Sequence, residues 1–268
     1  MGDSERLAAT KCFLLDMDGT FYLGDRLLPG ALEFVTLLAK RQLPFLFLTN
    51  NSSRSRSNYV HKLAKLGLTV REDKIFTSGE ATTIFLKREA PGAEVFVVGT
   101  PSLEEEFRAN GFELVHENPD YVVLGFDTTF DYAKLWRLCE MVRAGVGYIA
   151  THPDLNCPTE NGVMPDIGCV IEFVATSTGR RPDVVVGKPN HPIVDALVAK
   201  TGFSASEMTM VGDRLYTDIA LGQHGLRTVL VLSGESTRDD LAASDFQPDH
   251  VMQDLAQLVG ALGEGRDT

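Results

Sequence analysis

The stretch Cys12-Phe13-Leu14-Leu15-Asp16-Met17-Asp18-Gly19-Thr20 sets four apolar residues directly before two carboxylates, a glycine and a hydroxyl. A short, uninterrupted apolar run reads as a strand buried on both faces, the habit of a parallel sheet covered by helices. Asp16 and Asp18 stand at i and i+2, so in extended chain they would project to the same side. Gly19 then permits a sharp turn. Such a pair can divide labour, one carboxylate ionised as nucleophile and metal ligand, the other protonated as general acid. The competing reading is an acidic turn that caps the next element.

Working outward, similar apolar runs recur at Phe45–Leu48, Val95–Val98, Tyr121–Leu124, Tyr148–Ala150, Val184–Val186, Met208–Val211 and Thr228–Leu232. Stretches of helical period separate many of them: Ala31–Arg41, Arg56–Leu66, Thr82–Arg88, Tyr132–Arg143 and Ile193–Thr201. This alternation predicts an α/β protein with a mostly parallel sheet. Two polar junctions, Thr77–Glu80 and Ser177–Pro182, combine turn formers with a change of element. The segment between them has its own βα alternation and reads as an inserted second α/β domain.

In open parallel sheets, chemistry gathers beyond the carboxyl ends of the strands. The second strand ends in Thr49-Asn50-Asn51-Ser52-Ser53, whose hydroxyls and amides suit phosphate oxygens, although an ordinary helix N-cap would look the same. Lys188, held in Gly187-Lys188-Pro189-Asn190 after the strand Val184–Val186, can act as a point charge against phosphate or lie in a solvated loop. The strand Met208–Val211 delivers Gly212-Asp213-Arg214-Leu215-Tyr216-Thr217-Asp218. Hard oxygen ligands beside a phosphate point to Mg²⁺, with Asp213 the better ligand and Asp218 partly a helix cap. Four constellations share one placement, each following an apolar strand.

Composition narrows the field. A chain of 268 residues with 44% hydrophobic content can bury one large core or two moderate ones. Cys12, Cys139, Cys157 and Cys169 form no CxxC pair, which argues against a zinc site and a disulfide framework and favours a reducing cytoplasm. The first eleven residues lack an apolar leader, and no run approaches the roughly 18 apolar residues of a membrane span. The expectation is a cytoplasmic protein without membrane partners. A formal charge of −12 disfavours nucleic-acid binding, which depends on clustered Lys and Arg. An anionic substrate therefore needs local positive help.

In Asp16–Thr20, Thr49–Ser52, Gly187–Pro189 and Gly212–Ile219, the chain resembles the haloacid dehalogenase (HAD) superfamily of phosphatases. The likeness is to the NagD-like and p-nitrophenyl-phosphatase-like branch with a large α/β cap. It implies a HAD-like Rossmannoid core over residues 1–78 and 183–268, with an inserted α/β cap over 79–182. It implies a Mg²⁺-dependent phosphatase in which Asp16 forms a phosphoaspartate and Asp18 protonates the leaving group, then activates water. Thr49, Asn50 and Asn51 would bind phosphoryl oxygens, and Lys188 would orient the nucleophile and offset charge. The ion would be held by Asp16, the main-chain carbonyl of Asp18, and Asp213, with Asp218 supporting Lys188 or a metal-bound water.

The cap segments Thr151–Pro158 and Gly162–Gly168 resemble the loop that faces the substrate in this branch. Pro165-Asp166-Ile167-Gly168 departs from the common Pro-Gly-x-Gly, and Cys157 stands where pyridoxal-phosphate-type members carry a histidine. Cys157 is the substrate-facing candidate. His152 reads as a solvated loop histidine. The expected substrate is a small phosphorylated metabolite, a sugar phosphate or nucleotide, and caps of this branch often take part in homodimer contacts. The alternatives are a phosphotransferase on the same scaffold and a non-catalytic metabolite-binding regulator. The first is disfavoured because family mutases resemble proteins with a helical cap inserted earlier, the second because Asp16, Asp18, Lys188 and Asp213 are all intact.

Overall fold

In a computed structural model, residue 7 and residues 9–159 and 162–263 are described. The chain divides into two compact units. The first comprises 1–48, 60–75 and 197–268, the second 49–59 and 76–196.

The first unit is organised on a six-stranded sheet in the order β15-β14-β13-β1-β4-β5. These strands are β1 (Cys12–Leu15), β4 (Phe45–Thr49), β5 (Ile75–Thr77), β13 (Met208–Gly212), β14 (Arg227–Val231) and β15 (His250–Met252). The pairings of β1 with β13 and β4, of β13 with β14, and of β14 with β15 are parallel. Phe13, Leu14 and Leu15 are fully buried, as an apolar run covered on both faces requires. Phe13 meets Phe34 of α1 (Ala31–Lys40) edge-on at 5.4 Å. Register positions the chemistry: Leu15 lies opposite Val211, so β1 and β13 release the residues that follow them at the same end of the sheet. A small hairpin of β2 (Tyr22–Leu23) and β3 (Arg26–Leu27) follows β1.

The second unit holds a five-stranded sheet in the order β12-β9-β8-β6-β7, all pairs parallel. Its strands are β6 (Glu94–Val98), β7 (Glu113–Leu114), β8 (Tyr121–Leu124), β9 (Gly147–Ala150) and β12 (Val184–Val185). Its core joins Phe96, Val98, Val122 and Leu124 of the sheet to Leu138 and Val142 of the helix Tyr132–Arg143 and Ile171 and Val174 of the helix Ile167–Thr178. An antiparallel hairpin, β10 (Asn156–Thr159) with β11 (Gly162–Pro165), stands apart from this sheet.

Two local readings change. The Thr77–Glu80 junction is not a turn, because β5 runs straight into the helix Ser78–Glu89, with Thr77 Oγ1 accepting the Glu80 amide at 3.0 Å as its N-cap. Gly162–Gly168 is not a loop but a strand followed by the start of a helix. Among the described residues, no helix is long and apolar enough to cross a membrane.

Candidate active site

Asp16 is the first residue beyond β1, its amide still donating to Val211 O of β13 at 2.9 Å. From the end of β13, Asp213 is 2% exposed, and Asp218 is fully buried a short turn later. Asp16, Asp213 and Asp218 each offer an oxygen, and these atoms lie within 4.8 Å of one another. Asp213 is fixed from two sides: Thr20 Oγ1 donates to Oδ1 at 3.2 Å, and the Glu235 amide to Oδ2 at 2.7 Å. Asp218 Oδ2 accepts the Arg214 amide at 3.1 Å.

The backbone makes room for these carboxylates. A Cβ on Gly19, whose φ is +89°, would fall 2.3 Å from Asp213 Oδ2, and one on Gly234 would fall 2.0 Å from the same atom. Glycine is the residue that tolerates both the positive φ and the close approach. Burial, reinforced by the negative charge of Asp218, pushes the Asp213 carboxyl up to about 6, against the Glu235 amide, Arg214 and Thr20. Burial also works against the charge on the Arg214 guanidinium, yet Asp16, Tyr216, Glu235 and Asp213 together hold its pKa above the ordinary value. Its Nε lies 2.9 Å from Glu235 Oε2.

Asp18 keeps different company from Asp16. The strand has ended at Leu15, so the two-residue alternation no longer governs the chain. Phe21 and Tyr22 amides both turn back to Met17 O, at 3.0 and 3.1 Å, and the Gly19 amide donates to Tyr22 O at 2.8 Å. Within this tight loop the Asp18 carboxylate accepts from Tyr22 OH at 3.3 Å, and Lys62 Nζ lies 3.9 Å from its other oxygen.

The remaining sequence candidates fall in the second unit. The helix after β4 begins at Arg56, and the hydroxyl that meets an amide of its first turn is Ser55, 3.3 Å from Asn58 N. Thr49 closes β4, and Asn50–Ser53 is therefore a separate loop and not that helix's cap. The loop holds itself: the Asn51 amide donates to Thr49 Oγ1 at 3.1 Å, and Asn51 Oδ1 accepts the Ser53 amide and hydroxyl at 2.9 and 2.7 Å. Asn50 is tied to Lys188. Its Oδ1 accepts the Lys188 amide at 2.8 Å, and its Nδ2 donates to Lys188 O at 2.9 Å and to Asp154 Oδ1 at 3.0 Å. Lys188 is 3% exposed, not the side chain of a solvated loop. Cys157, on β10, receives a 3.8 Å contact from Asn51 Nδ2.

His152 is a correction to the sequence reading. It is fully buried, with Nδ1 2.9 Å from Thr151 Oγ1 and Nε2 3.0 Å from Asp166 Oδ1. Asp166 also receives the Ile167 amide at 2.6 Å and so caps the helix Ile167–Thr178. His152, Asp154 and Asp166 form a second close group of ligand-type atoms. Here the facing His152 and Asp166 atoms bond each other, so the group reads as a satisfied network. No signal within residues 151–153 could have shown this, because the partner stands 14 positions on.

Carboxylates gathered at the ends of adjacent parallel strands of the first unit are the equipment of a hydrolase that handles phosphoryl groups. Comparison with known proteins agrees. Residues 13–113 match the family profile of haloacid dehalogenase-like hydrolases, and residues 185–258 a HAD-hydrolase-like profile. The 5′-nucleotidase YutF of Bacillus subtilis is 34% identical over 250 residues, 93% of this chain and 97% of that protein. The 4-nitrophenylphosphatase of Thermotoga maritima is 45% identical with a TM-score of 0.92, covering 96% of this chain and 99% of that one. The glycerol phosphate phosphatase of Mycobacterium tuberculosis, solved in complex with calcium, is 32% identical with a TM-score of 0.85, covering 96% of this chain and 76% of that one. The chain belongs to the haloacid dehalogenase-like hydrolases, in their NagD-like, p-nitrophenyl-phosphatase-like branch. It is a phosphatase acting on phosphoric monoesters.

Proposed function

We propose that this phosphatase cleaves small phosphomonoesters, a sugar phosphate, nucleotide or similar metabolite, through a phosphoaspartate on Asp16 and with Mg²⁺ as cofactor. The observation that carries the reading is the cluster of Asp16, Asp213 and Asp218 at the ends of two adjacent strands. The donor set fits a hard cation: all three side chains offer oxygen, and Asp213 is pushed up by burial and by the neighbouring charge of Asp218. Asp16, the main-chain carbonyl of Asp18, and Asp213 would hold the ion, with Asp218 in support. Bound there, Mg²⁺ would supply the positive charge that an anionic nucleophile needs beside an anionic phosphate.

The chain's own residues then carry the reaction. An Asp16 oxygen bonds to phosphorus as the ester P–O bond breaks, and the departing oxygen takes a proton from Asp18. Asp18, now a carboxylate, draws a proton from the water that attacks the acyl phosphate, which frees inorganic phosphate and restores Asp16. Thr49, Asn50 and Asn51 bind phosphoryl oxygens. Because both Nδ2 protons of Asn50 are engaged, its part falls to the main-chain amide. Lys188 offsets phosphoryl charge, Cys157 faces the substrate, and residues 79–182 act as the cap that sets specificity.

The test is steady-state hydrolysis of 4-nitrophenyl phosphate by the wild type and by Asp16→Asn, with Mg²⁺ and with a chelator. Loss of turnover in the variant and in chelator is the expected result. Full activity in either case overturns the mechanism.

A further inference from the structure

Asp18 is the one proposed reacting carboxylate outside the acidic cluster, and its surroundings are unusual for a surface loop. Its side chain is 40% exposed, which alone would leave two torsions free to sample several rotamers. Instead each oxygen has its own partner. Tyr22 OH donates to Oδ2 at 3.3 Å, and Lys62 Nζ lies 3.9 Å from Oδ1. The two partners also touch each other, the Lys62 ammonium standing 3.8 Å from the centroid of the Tyr22 ring. That distance is well inside the range of a cation–π contact.

The scaffold fixes this triangle. Tyr22 is fully buried in β2, its amide and carbonyl engaged by Met17 O and Gly19 N, so its hydroxyl has little freedom. Lys62 projects from the helix Arg56–Lys65 with its side chain only 20% exposed, where a lysine on a solvent face would extend into water. A buried phenol and a half-buried ammonium aimed at the two oxygens of one carboxylate do more than fill space. They hold its plane.

We infer that Tyr22 and Lys62 are positioning residues that together hold the Asp18 carboxyl in the orientation from which it passes its proton to the leaving group. The inference rests on the reading of Asp18 as proton shuttle. A general acid works only within hydrogen-bond reach of the atom it protonates, so a loosened Asp18 fails in proportion to how much the leaving group needs that proton. An alkoxide needs it; a nitrophenolate departs without it. Loss of the clamp therefore appears as a change in leaving-group dependence, which a structural role would not produce.

The experiment measures kcat/KM of Tyr22→Phe, Lys62→Met, Lys62→Arg and Asp18→Asn on an alkyl phosphate and on 4-nitrophenyl phosphate. Both substrates are run on the same preparation of Mg²⁺-loaded enzyme. The ratio between substrates is independent of the fraction folded, so a destabilised variant still gives an answer. Tyr22→Phe and Lys62→Met are expected to lose about ten-fold or more on the alkyl ester and about three-fold or less on the aryl ester, a part of the ~10²–10⁴ that a general acid supplies. Lys62→Arg, which keeps a cation over the ring, is expected to recover most of the loss. Equal losses on both esters, or none, overturn the clamp. If Asp18→Asn itself leaves alkyl-ester hydrolysis intact, the assignment of Asp18 fails first.

Discussion

His152 shows how far one side chain's behaviour depends on a distant partner. Burial, the largest single influence, lowers its pKa, but the charge and hydrogen bond of Asp166 and the charge of Asp154 together outweigh it, with Lys188 opposing, so the net shift is upward from 6.5. A folded value above the unfolded one means that the pair's contribution to stability is complete below about 6.5 and is lost as pH rises through the folded value. His152→Gln should therefore destabilise the protein by about 3 kcal/mol at low pH, as removal of one member of a buried pair does, and by less at high pH. Urea unfolding of wild type and variant at about pH 6 and about pH 9 checks this, and a gap that widens with pH contradicts it. The sequence reading placed His152 in solvent because nothing local distinguishes a loop histidine from a buried one. Asp16, Asp213 and Lys188 stood out in the sequence because each follows an apolar run, Asp16 directly and the other two after one glycine, a signal carried by neighbours in the chain. The Tyr22 and Lys62 contacts with Asp18 had no such signal, since neither residue follows an apolar run and Lys62 stands 44 positions beyond Asp18.

At the scale of elements, the candidate site is made by strand register and by what glycine leaves empty. Parallel pairing of β1 with β13 sets Asp16 and Asp213 at one end of the sheet, and Gly234 gives Asp213 Oδ2 its space. The Gly234→Ala variant puts a methyl group into that space, and a carboxylate held at 2.7 Å by the Glu235 amide must then shift. Displacement of about 1 Å at a reacting centre costs on the order of 100-fold, so kcat/KM should fall by about that factor while the circular dichroism spectrum is kept. Retention of near wild-type kcat/KM would show that Asp213 is dispensable at this position. Eight of the eleven strands in the two sheets were readable from apolar runs, with ends moving by a residue or so: Phe45–Leu48 extends to Thr49, and Val184–Val186 ends at Val185. The other three, β5, β7 and β15, are only two or three residues long, too short for a pattern to show. The hairpins were not readable either. Asn156–Thr159 and Gly162–Pro165 contain two prolines, a cysteine and an asparagine, with no apolar alternation to announce a strand.

For the whole molecule, the acidity seen in composition becomes a statement about folding. The formal charge is −12, and part of the negative charge is concentrated at Asp16, Asp213 and Asp218, beyond the carboxyl ends of β1 and β13. The Asp213 carboxyl, ordinarily at 3.8, stands at about 6 when folded, so its contribution to stability is complete below about 3.8 and is lost as pH rises through about 6. A cation that binds the ionised carboxylates offsets this loss, and protons compete with it below about 6. Millimolar Mg²⁺ should therefore raise the melting temperature more at about pH 7.5 than at about pH 5. At a hundred-fold excess over Kd, binding contributes about 2.7 kcal/mol, or roughly 5–10 °C for a chain of this size. In Asp213→Asn the metal-free protein should melt higher than the wild type near neutral pH, because a buried charge and its repulsion from Asp218 are gone, and Mg²⁺ should move it little. Differential scanning calorimetry of both proteins, with and without Mg²⁺ at the two pH values, decides the matter. An equal Mg²⁺ shift at both pH values, or an undiminished shift in Asp213→Asn, would place the cation somewhere other than this cluster.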